Sequence, residues 1–217
     1  MEPSSQLFSL VMLGDFNPKI FQPAWFGREG IIRLGESDEA NLEIIHPDIV
    51  VFTLDWLRLQ VTREQFVVQT ELDPYDRVIR DLVVSTFKKL IHTPIHSMGI
   101  NRHMHFRVSD EDTWNNIGHT LAPKEKWLKI MNDPGLNKLV MVDKKRNNGY
   151  KGFLKVTVEP SEKIRPGIYF TVNDHYEVED KKSSFGANEI LDVLDKNWDA
   201  SINNAKEKIE KLMESLI

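Results

Sequence analysis

Between Met98 and Arg107 the chain alternates with a period of two. Met98, Ile100, Met104 and Phe106 fall on one side, and Asn101, His103, His105 and Arg107 on the other. Such a strand needs an apolar layer beneath one face and leaves the other face polar. The stretch from His92 to Arg107 also holds four of the seven histidines.

The flanking segments supply further strands and the helices to cover them. Residues 6–14 are apolar on both faces of a strand, the pattern of a strand covered on both sides. Asn17-Pro18 is a helix cap with proline in the first turn, and Pro23 keeps that helix short. Residues 27–40 read as loop. Residues 49–54, 56–61 and 65–72 are extended, with a hairpin turn at Thr62-Arg63-Glu64. Asp73-Pro74 opens a helix whose stripe is Val78, Ile79, Leu82, Val83, Thr86, Phe87 and Leu90. Beyond Arg107, Ser109 to Asp112 starts a helix containing Trp114 and Ile117. A second short helix comes after Pro123 and contains Trp127, Leu128, Ile130 and Met131. Residues 138–144 and 150–158 form a hairpin about Asn147-Asn148-Gly149, and residues 167–176 form a last strand. From Ala187 to Leu216 one long helix of roughly 40 Å carries Leu191, Leu194, Trp198, Ile202, Ala205, Ile209, Leu212 and Leu216 at three- and four-residue steps.

The order strand, helix, three strands, helix thus occurs once before Thr93 and again after it. We expect an α+β fold with an internally duplicated unit, residues 1–93 and 94–217, in a single globular domain. The two pseudo-repeats would share one curved, largely antiparallel and saddle-like sheet of about eight strands. Helices would cover one face, and a long helix would close the chain. In element order the chain resembles the duplicated saddle of TATA-binding proteins and their non-DNA-binding relatives; the resemblance implies a shape, not an activity.

With 41% hydrophobic and 28% charged residues, the chain has the make-up of a globular protein. No cysteine is present, which removes disulfides, thiol chemistry and thiolate metal sites and suits a reducing compartment, so a cytoplasmic location is expected. No run approaches the ~18 apolar residues of a membrane span, and no membrane partner is expected. A net charge of −5 argues against bulk nucleic-acid binding. No phosphate-cradling glycine loop, nucleophile elbow, metalloprotease helix or dinucleotide fingerprint occurs, and no cofactor is expected.

The candidate partner-binding residues lie on the polar side of the strands: Asn101, His103, His105 and Arg107, with Tyr169, Asn173 and His175 from the last strand. Their long donors and flat rings suit a protein or other macromolecular partner. A basic hairpin tip, Lys144, Lys145, Arg146 and Lys151, is a second candidate. The spacing of His103 and His105, with His175 opposite, leaves a hydrolytic or nucleic-acid-processing enzyme as the competing class, although no metal site is assigned. The closing helix offers a stripe for homodimerisation.

Overall fold

Two strands hold the middle of the molecule. In the computed structural model, which describes residues 2–179 and 186–216, β1 (Ser5–Gly14) and β6 (Ile95–Arg107) run antiparallel, with Ser5 opposite His105 and Leu13 opposite Ser97. On the far side of β1 comes β5 (Gln65–Thr70), followed by β4 (Leu57–Thr62), β3 (Ile49–Leu54) and β2 (Asn41–His46). On the far side of β6 come β9 (Gly167–Glu177), β8 (Lys151–Pro160) and β7 (Leu139–Asp143). The result is one nine-stranded sheet in the order β2-β3-β4-β5-β1-β6-β9-β8-β7, with every neighbouring pair antiparallel. The α+β architecture with its long final helix is as the sequence predicts.

The strand beyond the expected eight is β2. All six of its residues are exposed, so it has no buried side for the sequence to advertise. The apolar run of β1 has a different cause from the one expected. Phe8, Leu10 and Met12 enter the core, while Leu7, Ser9 and Val11 lie on the opposite face, under none of the described helices. Central position in the sheet, rather than a second helical layer, makes both faces sparing of charge.

The helices cover the other face. They are α1 (Pro23–Arg28), α2 (Leu34–Asp38), α3 (Asp76–Lys89), α4 (Glu111–Leu121), α5 (Gly186–Lys196) and α6 (Trp198–Leu216). Ile79, Leu82, Val83 and Phe87 of α3 pack with Phe8, Leu10 and Met12 of β1 and with Ile190, Val193 and Leu194 of α5. At one end of this core Phe66 meets Phe21 and Phe87 edge to face at 5.5 and 5.2 Å, the arrangement that ring quadrupoles favour, and Phe21 lies tilted to Phe87 at 6.3 Å. A second core joins Met104, Phe106, Phe170 and Val172 of the sheet to Ile117 of α4 and Ala205, Ile209 and Met213 of α6. Asp110 caps α4 by accepting the Thr113 N–H at 2.7 Å, as its sequence predicts. By contrast, α3 begins at Asp76 with Tyr75 at its cap, and Asp73 and Pro74 belong to the turn before it.

Two expectations about helices are corrected. Residues 123–131 form only a 3-10 turn at Trp127–Lys129, and Trp127, Leu128, Ile130 and Met131 are exposed. The closing helix is two helices, separated at Asn197. At 1.5 Å per residue α6 spans about 28 Å. Its apolar stripe is packed against its own sheet.

Trp198 begins α6 and sets its ring edge-on to Phe8 of β1, 5.5 Å between centroids, with only 3% of its surface exposed. Trp198→Ala is expected to lower unfolding free energy by about 3–5 kcal/mol. Urea titration followed by circular dichroism checks this, and sedimentation should show the same assembly state as the parent protein.

Candidate functional site

The helix-free face is built by strand register. One row crosses all nine strands in turn: Asn41, Thr53, Arg58, Gln69, Ser9, Asn101, Asn173, Lys155 and Val142. Eight of these nine side chains are polar. Arg58 is held by a two-point contact with Glu43, Nε to Oε1 at 3.2 Å and Nη2 to Oε2 at 3.0 Å. At the centre Asn173 donates to the Asn101 carbonyl oxygen, and Asn101 Nδ2 donates weakly to the carbonyls of Ser9 (3.5 Å) and Gly99 (3.4 Å). Gly99 makes this possible, because a Cβ there would sit 2.7 Å from Asn173 Nδ2.

The histidines form two separate groups. His105 stands opposite Tyr169 across the β6–β9 ladder and stacks on its ring at 4.5 Å. The Tyr169 hydroxyl is 2.6 Å from His103 Nδ1, and the Ser161 hydroxyl is 2.8 Å from His105 Nδ1. Ser161, in the β8–β9 loop, also accepts the Ile164 N–H at 3.0 Å. His175 stacks instead on Phe153 at 4.5 Å. Since His175 lies four residues along β9 from Thr171, the partner of His103, and six from Tyr169, the partner of His105, about 13 Å and about 20 Å of strand separate it from the two. The three histidines therefore do not converge, and among the described residues no three His, Cys, Asp or Glu side chains are grouped to hold a metal ion.

Burial sets the electrostatics of the His103–Tyr169–His105 stack. It is the main cause that lowers the pKa of His103 from the ordinary 6.5, helped by the charges of His105 and Lys163. His105 is lowered too, again by burial first and then by Lys163, with Glu162 opposing. Both rings are thus neutral near pH 7, which suits Nδ1 to accept a hydroxyl proton from Tyr169 or Ser161. The Ser161 and His105 contact resembles a nucleophile and its base. Ser161 is, however, 4% exposed, and its oxygen already accepts a backbone N–H that fixes the loop.

The structure brings Asn101, His103, His105, Tyr169 and Asn173 together, puts His175 farther along the same face, and leaves Arg107 exposed at the strand end, donating to the Arg165 carbonyl at 3.0 Å. His105 is 9% exposed, so it is less a solvated residue of the face than part of its floor. Sequence reasoning missed Ser161, which carries no periodic signal. It also passed over Phe153, which the alternation of Phe153, Lys155 and Thr157 in β8 could have placed there.

The basic hairpin tip is corrected in one residue. Lys144, Lys145 and Lys151 are exposed, but Arg146 turns inward. It pairs with the buried Asp174 of β9, donates to the carbonyls of His175 (2.8 Å) and Phe153 (3.3 Å), and lies 4.0 Å over the Tyr176 ring. Asp174 also accepts from Tyr176 (2.8 Å) and from Ser201 of α6 (2.6 Å). Burial, and then the charge of Asp174, pushes the Tyr176 hydroxyl up to about 12. This cluster lies on the helix side, away from the candidate face.

Fold and face together define a class: an α+β protein with an open polar sheet surface opposite its helical layer. No family model matches the chain, and no curated protein matches it either.

Two outcomes are expected. Asp174→Ala strands the buried Arg146 guanidinium and should lower stability by about 3–5 kcal/mol in urea titrations. The second concerns acid. Because the folded pKa values of His103 and His105 lie below 6.5, the unfolded chain binds more protons than the folded one once pH drops below about 6.5. The contribution of the two rings is complete above that pH and declines as pH falls toward their folded values. Urea midpoints measured from pH 8 to pH 5 should fall in that window, and a His103→Gln, His105→Gln double variant should fall less.

Proposed function

We propose that this is an intracellular binding or accessory protein that recognises a macromolecular partner, most simply another protein, through the helix-free face of its sheet. One observation carries the reading: a row of polar residues runs from Asn41 to Lys155 across eight of the nine strands, on the side that none of the described helices covers. Its centre, at Asn101, Asn173 and His105, is internally hydrogen-bonded and acts as a preformed floor. The flanks keep hydrogen-bonding capacity for a partner, above all at Gln60, Gln69, Thr171 and Lys155, which are partly exposed. Side chains already fixed by their neighbours lose little freedom on binding, and that favours recognition by a surface that does not rearrange. The cysteine-free composition is compatible with a cytoplasmic setting.

The competing reading, a hydrolytic enzyme, would rest on Ser161 and His105. The burial of Ser161, the backbone N–H its oxygen accepts and the stacking of His105 on Tyr169 support a structural role for the pair instead.

Affinity capture from the native extract, run in parallel with a Gln69→Ala, Lys155→Ala double variant, tests the proposal. Both side chains are partly exposed, so the variant should melt within about 0.5 kcal/mol of the parent protein. A specific partner should be retained by the parent and lost by the variant. Identical capture by the two proteins would sink the face as the recognition surface.

A further inference from the structure

The two ends of the sheet are treated differently. At one end, β2 has a register shift between Leu42 and Ile44, and Glu43 between them is pinned by Arg58. A bulge and a charge are common ways to stop a free edge from pairing. At the other end, β7 pairs with β8 in unbroken register from Leu139↔Val158 to Asp143↔Leu154. Its residues 139–142 are all apolar, and Met141 is 63% exposed. Among the described residues no strand pairs with the outer side of β7, where alternate residues direct their N–H and C=O groups outward.

This regular, apolar edge sits among cations. Lys138 precedes it, Lys144 and Lys145 come after it, and Lys155 stands beside Val142 one strand in. From residue 122 to 151 there are eight lysine and arginine residues against three acids, in a chain whose net charge is −5. We propose that β7 is a docking edge for an extended peptide in which acidic and apolar residues alternate, bound as a tenth strand. Backbone hydrogen bonds to β7 give the affinity. Apolar residues of the peptide lie beside Leu139 and Met141, and its acids face the side on which Lys155 lies.

The charge pattern selects this occupant over a second copy of the chain. Two-fold pairing of β7 with itself about Met141 would put Lys138 opposite Lys144 and Leu139 opposite Asp143. Like charges directly opposite destabilise a ladder. Lys155 borders both the polar face and this edge, so the edge is tested apart from the face at Met141, Lys144 and Lys145, which lie outside the polar row.

The test uses the full chain and a short capped peptide of alternating valine and glutamate, with binding followed by fluorescence anisotropy and by hydrogen exchange. Saturable binding is expected, with exchange slowed at residues 139–143. Met141→Lys, or Lys144→Glu together with Lys145→Glu, should weaken it by about tenfold or more without lowering the melting temperature, because these side chains are exposed. A peptide with lysine in place of glutamate, or with proline at alternate positions, should not bind. Equal binding of the lysine peptide, binding without protection of 139–143, or no binding at all overturns the proposal. So does a free chain that already sediments as a dimer with those amides protected.

Discussion

The pairing of β1 with β6 is the constraint on which everything else hangs. Each half of the chain builds a run of antiparallel strands that ends against one of these two, and the β1–β6 ladder is where the two runs become one sheet. A ladder alone leaves two sheet halves free to twist about their joint. Side chains on the helical side prevent this: Arg102 of β6 reaches Asp76 of α3 at 3.2 Å, Arg80 of α3 donates to the Leu194 carbonyl of α5 at 2.9 Å, and Trp198 of α6 rests on Phe8 of β1. Each contact ties an element of one half to an element of the other.

Once that frame exists, its uncovered face takes its character from the same physics. Polar groups near the centre of a curved sheet are partly shielded from water even without a helix above them, and a shielded polar group without a partner is costly. Asn101, Asn173, His103, His105, Tyr169 and Ser161 answer that cost by bonding to one another. The same logic on the helical side explains Arg146: a guanidinium can enter the interior only where a carboxylate, two carbonyls and an aromatic ring await it.

How much of this could be read from the sequence depends on whether the decisive contact is local. The alternation in β6, the stripe of α3 and the cap at Asp110 involve residues a few positions apart, and all three are legible. Arg146 is not, because its partner Asp174 is brought near only by the register of β8 with β9, and from sequence alone an arginine beside Asn147-Asn148-Gly149 belongs to the tip. The burial of His105 is not legible for the same reason, since Ser161 reaches it from a distant loop. Asn197 interrupts no apolar spacing, so nothing in the pattern marks the division between α5 and α6, although its side chain donates to Tyr176 Oη at 2.5 Å. The β2 strand escapes because periodicity reports burial, and β2 has none.

The bulge in β2 has a consequence beyond its own strand. A sheet whose two ends were both regular could join head to tail with copies of itself, and because the ends are different surfaces such joining has no symmetry to close it and would propagate as a fibre. With Leu42 and Ile44 out of step, one end is a terminator. A regular, apolar β7 at the other end therefore meets no matching regular edge on a second copy, and open-ended growth has no second surface to use.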